Sequence, residues 1–281
     1  MTILVTGATG NVGRAVVTQL LEAGADVRAT SRYPETAGLP VDVKAADLAN
    51  PSSFEQALDN VEKVFLFPNP AGAQGFVDLA EAAGVQRIVL LSSQAAAHEE
   101  YGDAPMRTMH VIVEQALAKS SLEWTFLRPG GFATNTLLWA QSIKDTGRVR
   151  IPYADMNTNS IHEDDIAAVA VRALLEDGHA GNVYELTGPE SLTQRRQIEL
   201  IGEVIGKEIE VIDQRGAEAR AALKAQFGPY ANDHFLDSML KIYQSAVGRP
   251  ADMATGVDEV LGRPGRTFAE WVQDHKADFV A

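Results

Sequence analysis

The feature that most constrains the fold is a glycine-rich segment near the amino terminus. It reads Thr6-Gly7-Ala8-Thr9-Gly10-Asn11-Val12-Gly13, and it lies between the apolar run Ile3-Leu4-Val5 and a helical pattern. Gly7 permits a tight turn, Gly10 lets the backbone approach a pyrophosphate, and Gly13 allows close packing of helix on strand. The helix N-terminus that follows would offer its N–H groups to phosphates. A strand, a glycine-rich turn and a helix in this order predict a dinucleotide-binding unit; the alternative is a turn that binds nothing.

The first half of the chain alternates short apolar runs with helical patterns. This alternation indicates βαβ units, in which crossovers of this length make the strands parallel. We predict strands at 3–5, 26–30, 41–45, 64–67, 88–91 and 124–127, and helices at 11–23, 52–58, 72–84 and 106–120. The predicted class is therefore α/β, a doubly wound parallel-sheet Rossmann fold with a smaller, mainly helical C-terminal substrate domain.

The end of the second predicted strand indicates the form of the dinucleotide. A site specific for NAD carries Asp or Glu there, but this strand ends with Thr30-Ser31-Arg32. Hydroxyls and a guanidinium suit a 2′-phosphate, so we predict NADP(H), with Arg14 as a second cation. The alternative is that Arg32 is an ordinary surface residue. Asp47, after the third strand, would either accept a hydrogen bond from the adenine amino group or cap the next helix.

Composition excludes several classes of function. Twenty-four basic and 38 acidic residues give a net charge of −14, which disfavours nucleic acid and anionic membranes as partners. The absence of cysteine rules out disulfides, thiolate catalysis and cysteine metal sites, and we predict no metal site of another kind. No apolar run approaches the length of a membrane span, and the N-terminus reads as a strand rather than a signal peptide. We therefore expect a cytoplasmic monomer or homodimer.

Further motifs follow one another along the chain. They are Ala46-Asp47-Leu48, Leu90-Leu91-Ser92-Ser93, His110-x-x-x-Glu114, the segment 124–132 (WTFLRPGGF), the segment 160–165 (SIHEDD), the strand 183–188 (VYELTG) and the ending 262–271 (GRPGRTFAEW). Together with the glycine-rich turn and the arginine after the second strand, they resemble the atypical short-chain dehydrogenase/reductase branch. That branch includes NmrA-like proteins and bacterial NADPH:quinone reductases, and the resemblance covers essentially the whole chain.

The resemblance implies an NADP-binding Rossmann domain and a substrate domain with the active site between them. We assign residues 1–131 to the first domain and 132–281 to the second, with 183–187 adding a strand to the main sheet. The predicted cofactor-binding residues are Thr6, Gly7, Thr9, Gly10, Asn11, Val12, Gly13, Ser31, Arg32, Asp47, Phe67, Pro68, Ser92, Ser93, His110 and Pro129. The predicted substrate-contacting residues are Gln94, Phe132, Asn135 and Tyr153, with Leu137, Leu138 and Trp139 as further candidates for the wall of the site.

The catalytic pattern departs from that of most short-chain dehydrogenases. They use a Tyr-x-x-x-Lys pair and a Ser to protonate the developing alkoxide, but none of the six tyrosines here has a lysine four residues later. By the order of the motifs, Met106 takes the tyrosine position, His110 the lysine position and Gln94 the serine position. Met cannot donate a proton. His110, with an ordinary pKa near 6.5, would either protonate the substrate near neutral pH or hold the cofactor ribose or Glu114 without a proton role.

These features favour an NADPH-dependent oxidoreductase that transfers hydride to a quinone or to a ketone on an aromatic or polyketide-like substrate. A quinone needs little help from an acid, because conjugation stabilises its reduced product. The alternative function is a non-catalytic, NmrA-like sensor that binds NADP(H) and acts through a partner protein. A nucleotide-sugar epimerase is less favoured, since those relatives keep the Tyr and Lys.

Overall fold

A computed structural model of the chain describes residues 2–99, 104–228 and 231–280. Two of the tyrosines compared above, Tyr101 and Tyr230, lie outside the described residues. In chain order, the strands are β1 (Thr2–Val5), β2 (Asp26–Ser31), β3 (Asp42–Ala45), β4 (Val61–Leu66), β5 (Arg87–Leu91), β6 (Glu123–Pro129), β7 (Arg148–Pro152), β8 (Asn157–Thr158), β9 (Val183–Leu186), β10 (Leu192–Thr193) and β11 (Glu210–Gln214).

The helices alternate with these strands in the first half of the chain and become more frequent in the second. They are α1 (Asn11–Glu22), α2 (Ala73–Ala82), α3 (Pro105–Ala118), α4 (Ala140–Thr146), α5 (Glu163–Leu175), α6 (Gln194–Ile205), α7 (Gly216–Phe227), α8 (Asp233–Ala246), α9 (Gly256–Leu261), α10 (Phe268–Asp274) and α11 (Lys276–Phe279).

A seven-stranded parallel sheet forms the first of two compact units. Its strand order is β3-β2-β1-β4-β5-β6-β9, and every pair in it is parallel. Ile3, Leu4 and Val5 are fully buried, as expected for a strand covered on both faces. The order reverses beside β1, between β2 and β4. The carboxyl edge at such a reversal is where ligands bind in open α/β sheets. The doubly wound Rossmann fold is confirmed.

Apolar spacing along the helices determines how they cover this sheet. In α1, Val12, Val16, Val17 and Leu20 recur at helical spacing and are buried, and the helix packs against α5. On α2 and α3, the buried side chains join the core that contains Phe54, Ile88 and Phe126. Helix α1 begins at Asn11, within the glycine-rich segment, so its N-terminus lies at the turn.

The second unit has its own core and two small sheets. Strand β7 pairs in parallel with β11, and β8 pairs antiparallel with β10. The core gathers apolar side chains from α4, α6, α10 and α11 around Trp271, which is fully buried and stacks on Phe268 with a centroid distance of 5.4 Å. This unit is mainly helical, as predicted.

The two units interleave along the chain. The first comprises 1–129, 163–186 and 255–263, and the second comprises 130–162, 187–254 and 264–281. The predicted boundary after residue 131 lies close to the first change of unit. The single division into 1–131 and 132–281 nevertheless needs correction, because α5, β9 and α9 pack on the sheet of the first unit.

One sequence prediction of local structure was wrong, and one strand was not predicted. The helix predicted at 52–58 is a short 3-10 turn over Pro51–Phe54, and the hydroxyl of Ser53 accepts a hydrogen bond from the Asp47 N–H at 2.9 Å. Strand β7 was not predicted. Its sequence, RVRIP, is short, charged and ends in proline, and its partner β11 lies some sixty residues later.

Candidate active site

The glycine-rich turn folds tightly against itself and against the end of β4. Gly7 has a positive φ of 60°, and a Cβ there would lie 2.8 Å from the Cβ of Phe67. A Cβ on Gly13 would lie 2.2 Å from the carbonyl oxygen of Gly7. A Cβ on Gly10 would meet only that same oxygen, at 3.4 Å. The chain itself therefore requires glycine at 7 and 13, whereas Gly10 adjoins open space.

The N-terminus of α1 is uncovered. Gly10 is the N-cap, it supplies no side-chain cap, and the first turn carries no acidic residue. The first N–H groups of a helix have no acceptor within the helix, and they add to the partial positive charge of the dipole. Thr9, Gly10 and Asn11 are exposed. This geometry suits the diphosphate of a dinucleotide.

Thr6 supports the turn from beneath. Its hydroxyl donates to the Phe65 carbonyl at 3.2 Å and accepts from the Phe67 N–H at 2.7 Å, and the residue is fully buried. The Val12 side chain likewise packs into the core. The prediction that these two residues bind cofactor is therefore corrected for their side chains, which position the turn; only backbone atoms of Val12 remain available to a ligand.

Arg32, directly after β2, has an exposed guanidinium. Arg32 is exposed, lies 6.0 Å from the ring centroid of Tyr33, and forms no ion pair within the described part of the chain. Ser31 accepts a hydrogen bond from the Tyr33 N–H at 3.1 Å. Arg14 is engaged instead, because its guanidinium donates to the Ala37 carbonyl at 2.7 Å. Of the two cations predicted to face a 2′-phosphate, only Arg32 has its donors free.

Asp47 has a local structural role. Its carboxylate accepts a hydrogen bond from the Ala49 N–H at 2.9 Å, which closes the turn after β3. Contact with adenine remains a prediction.

A buried ionic network lies behind the carboxyl ends of β5 and β6. Arg128 donates to both carboxylate oxygens of Glu114, at 2.9 and 2.6 Å, and the Ser92 hydroxyl donates to the same carboxylate at 2.5 Å. Ser92 is buried, so the predicted direct contact between its side chain and the cofactor is corrected to a positioning role. Ser93 accepts from the Ala95 N–H and caps a short 3-10 turn that begins at Gln94. Sequence reasoning placed Glu114 and Arg128 in family motifs but missed their pairing.

Helix α3 places Met106 and His110 one turn apart, as the motif order predicted. The Nδ1 atom of His110 is buried and has no hydrogen-bond partner among the residues described. Burial lowers the pKa of His110 to about 4, because the charged ring would lose its hydration; the Glu114 carboxylate opposes this shift only in part. His110 is therefore neutral near pH 7. Of the two alternatives left open by the sequence, this favours a hydrogen-bonding group over a proton donor near pH 7.

Acid should destabilise the folded chain through His110. Its folded pKa lies below the unfolded value of 6.5, so the unfolded chain binds more protons between about pH 4 and 6.5, and stability falls as the pH falls through that window. At pH 5 we expect a loss of about 2 kcal/mol relative to pH 8 from this group. His110→Gln should remove that part of the slope in urea unfolding measured from pH 8 to 5. The same slope in both proteins would contradict the buried, neutral state.

The second unit contains a cavity of about 570 Å³. Phe132 and Asn135, two of the predicted substrate residues, line it, as do Leu138 and Trp139. Sequence reasoning missed several lining residues that no motif marked as substrate contacts, namely Met156, Thr158, Ser160, Gln197 and Tyr243. Burial raises the pKa of Tyr243, so its hydroxyl stays neutral at physiological pH.

Two other predicted substrate contacts lie elsewhere. Tyr153 is buried in a turn with a positive φ of 52°, and the Arg215 guanidinium covers its ring at 4.5 Å from the centroid. Tyr153 is not among the residues that line this cavity, and its contact with substrate stays a prediction. Gln94 belongs to the first unit, and Leu137 packs against the core of the second.

Within residues 2–99, 104–228 and 231–280, no helix is both long and apolar enough to span a bilayer.

Comparison with known proteins places the chain among nucleotide-binding reductases. The family described as NAD(P)H-binding matches residues 7–177. A (4-alkanoyl-5-oxo-2,5-dihydrofuran-3-yl)methyl phosphate reductase of Streptomyces griseus is 36% identical over 99% of each chain, and an NAD(P)H azoreductase of Xenophilus azovorans is 33% identical over 99% of each. An NADPH-dependent quinone oxidoreductase of Escherichia coli, solved with NADPH, is 28% identical with a TM-score of 0.78, over 97% of this chain and 99% of that one.

Proposed function

Because the chain belongs to the NAD(P)H-binding family, we propose that it reduces a quinone, or a ketone on an aromatic or polyketide-like compound, with NADPH as the electron donor. It is an NAD(P)H-dependent reductase related to quinone reductases and azoreductases. The observation that carries the choice of acceptor is the pair on α3, Met106 and the half-buried His110 one turn later, with the buried Nδ1 atom of His110 lacking a partner among the described residues.

The residues present fit the dinucleotide. The exposed N-terminus of α1 would bind the diphosphate, and Ser31 with Arg32 would bind the 2′-phosphate. His110 offers a buried nitrogen with no partner in the described residues, which suits a hydroxyl of the nicotinamide ribose. Phe67 is 45% exposed at the end of β4, beside Gly7, where its ring would contact the cofactor.

The chemistry divides between cofactor and protein. NADPH, when bound, supplies a hydride ion, and one proton taken up from water completes the reduction of a quinone to its hydroquinone. Neither Met106 nor neutral His110 supplies that proton near pH 7. An acceptor whose reduced form is stabilised by conjugation tolerates this lack, whereas an isolated ketone does not. The chain's own contribution is to bind both reactants, orient them and exclude water.

The cavity of the second unit supports an enzyme over a sensor. Its volume of about 570 Å³ lies in the range of small-molecule sites, and Phe132, Trp139 and Met156 give it an apolar and aromatic lining. Relatives named for quinone and azo reduction favour the same class of small, conjugated acceptor.

Arg32 provides a test of cofactor choice. We expect Arg32→Ala to weaken NADPH binding about 10- to 100-fold, since a hydrogen-bonded charge on a phosphate contributes about 1.5 to 3 kcal/mol. NADH binding should be unchanged, because NADH lacks the 2′-phosphate. Fluorescence titration with both nucleotides measures the effect, and Lys119→Ala, which removes another exposed charge of the same unit, is the control. Equal loss for NADH and NADPH would contradict the assignment.

The proposed function is tested by anaerobic oxidation of NADPH, followed at 340 nm, with a panel of quinones and aromatic ketones. We expect turnover with quinones and a rate that His110→Gln lowers without changing its pH dependence near neutrality. A rate that tracks a group titrating between pH 6 and 7, and loses that dependence in His110→Gln, would restore the proton-donor role. Tight NADPH binding without consumption by any acceptor would favour the sensor.

A further inference from the structure

Among the described residues that line the cavity of the second unit, one side chain is charged. The walls of the cavity are otherwise apolar residues, such as Trp139 and Met156, and uncharged polar residues. Arg150 carries the charge, and no Asp or Glu lies among the described residues that line this cavity. The guanidinium is exposed and forms neither an ion pair nor a hydrogen bond within the ranges that the structure describes.

Strand register explains why Arg150 has no partner. In the parallel pair β7–β11, Arg148 lies opposite Glu210, whereas Arg150 lies opposite Ile212. Arg148 accordingly forms an ion pair with Glu210 at 2.7 Å. The two arginines are separated by one buried residue, Val149, so both point to the same side of the strand. The alternation of residues along β11 thus places a carboxylate opposite Arg148 and an apolar side chain opposite Arg150.

Several other arginines of this unit form ion pairs with carboxylates. Arg195 pairs with Asp155 at 2.7 Å, and Arg215 pairs with Asp213 at 2.6 Å. Arg196 pairs with Glu203, also at 2.7 Å. In a chain of net charge −14, a cation that faces a cavity without a carboxylate is therefore a local exception.

The polar side chains of the same cavity are partly engaged with one another. The Gln197 side-chain amide donates to the Ser160 hydroxyl at 2.8 Å, and the Gln194 amide donates to the Pro152 carbonyl at 2.9 Å. They contribute no charge to balance the guanidinium. Arg150 presents a planar set of N–H donors that matches the oxygen atoms of an oxyanion.

We propose that the acceptor of this reductase carries an oxyanion substituent, a carboxylate or a phosphate, and that Arg150 binds it. The remainder of the acceptor lies against the apolar lining formed by Phe132, Trp139 and Met156. This inference rests on the proposed function, for which it narrows the substrate class. The name of the Streptomyces griseus relative, a reductase of a methyl phosphate compound, is consistent with such an acceptor.

Binding of compounds that cannot be reduced tests the site independently of turnover. Isothermal titration of the full chain with NADP⁺ present would use 1-naphthoate, 1-naphthyl phosphate and methyl 1-naphthoate. We expect both anions to bind at least 10-fold more tightly than the ester, and the tighter anion identifies the group. Arg150→Gln should weaken the anions about 10- to 100-fold and leave the ester unchanged. Arg148→Gln, which removes the paired arginine of the same strand, should leave all three affinities unchanged.

Turnover then separates this inference from the proposed function. The acceptors are anthraquinone-2-carboxylate and its methyl ester, and we expect Arg150→Gln to lower kcat/KM for the acid alone. If neither quinone is reduced but the anion preference depends on Arg150, the oxyanion site stands and quinone reduction fails. If acid and ester are reduced equally in both proteins, the reductase stands and the oxyanion site is overturned. Equal binding of ester and anions, or no effect of Arg150→Gln on binding, also overturns it.

Discussion

Gly13→Ala is expected to remove tight NADPH binding and to destabilise the first unit. A Cβ at this position would lie 2.2 Å from the Gly7 carbonyl oxygen, a distance that no relaxed structure holds. Helix α1 would have to move away from the turn, which would displace the N–H groups that face the diphosphate. We expect the dissociation constant for NADPH to rise at least 100-fold, and the free energy of unfolding to fall by about 3 kcal/mol. Fluorescence titration and urea unfolding measure the two effects.

Gly10→Ser separates loss of the site from loss of the fold. Serine is a good N-cap residue, and a Cβ at position 10 lies at 3.4 Å from its nearest neighbour, which is ordinary contact. We therefore expect stability close to that of the parent, but NADPH binding weakened about 10-fold, since the side chain would occupy space needed by the diphosphate. Unchanged NADPH affinity in both glycine variants would contradict the proposed place of the dinucleotide.

Glu114→Gln should produce a comparably large loss of stability. The carboxylate accepts from Arg128 and Ser92, and the side chains of Glu114 and Arg128 are only 9% and 19% exposed. Removal of one charge leaves the Arg128 guanidinium buried without its counterion, at a cost of about 3 to 5 kcal/mol. The melting temperature should fall by about 10 °C, as measured by calorimetry.

Two further variants show whether this loss comes from the uncompensated charge. Glu114→Gln combined with Arg128→Met should recover at least half of the lost stability, because neither position then carries an uncompensated charge. Glu203→Gln, which breaks the exposed pair with Arg196, should cost less than about 1 kcal/mol. Additive losses in the double variant would show that the two residues contribute separately and that the network is not the cause.

The part of the fold that could be predicted from sequence is the part specified by local patterns. Val12, Val16, Val17 and Leu20 recur at helical spacing on α1, and buried β1 precedes a turn with glycines at fixed offsets. These signals require no knowledge of distant residues. The α/β class and the parallel sheet followed from them.

The predictions that failed depend on contacts between distant parts of the chain. Strand β7 pairs with β11, some sixty residues later, and its own alternation of arginine with Val149 and Ile151 is too short to predict a strand by itself. Tyr153, close to other candidates in sequence, has an unusual backbone conformation and an Arg215 guanidinium over its ring, neither of which a local pattern reveals. Tyr243, which does line the cavity, comes from α8 and had no motif to mark it. The altered pKa of His110 likewise results from burial that helical spacing alone does not reveal.

The interleaving of the two units has a consequence during synthesis on the ribosome. Strand β6 pairs on one side with β5, but its other neighbour, β9, is translated only after the whole of 130–182. Until then the nascent chain presents β6 as an unpaired edge that includes Trp124 and Phe126, which other chains could extend by strand addition. The long insertion between β6 and β9 thus lengthens the period in which this edge of β6 is unpaired. Recombination of two related genes at the codon for residue 131 would join β1–β6 of one parent to the β9 edge strand of the other. Such a chimera exchanges part of the Rossmann core along with the substrate-binding unit.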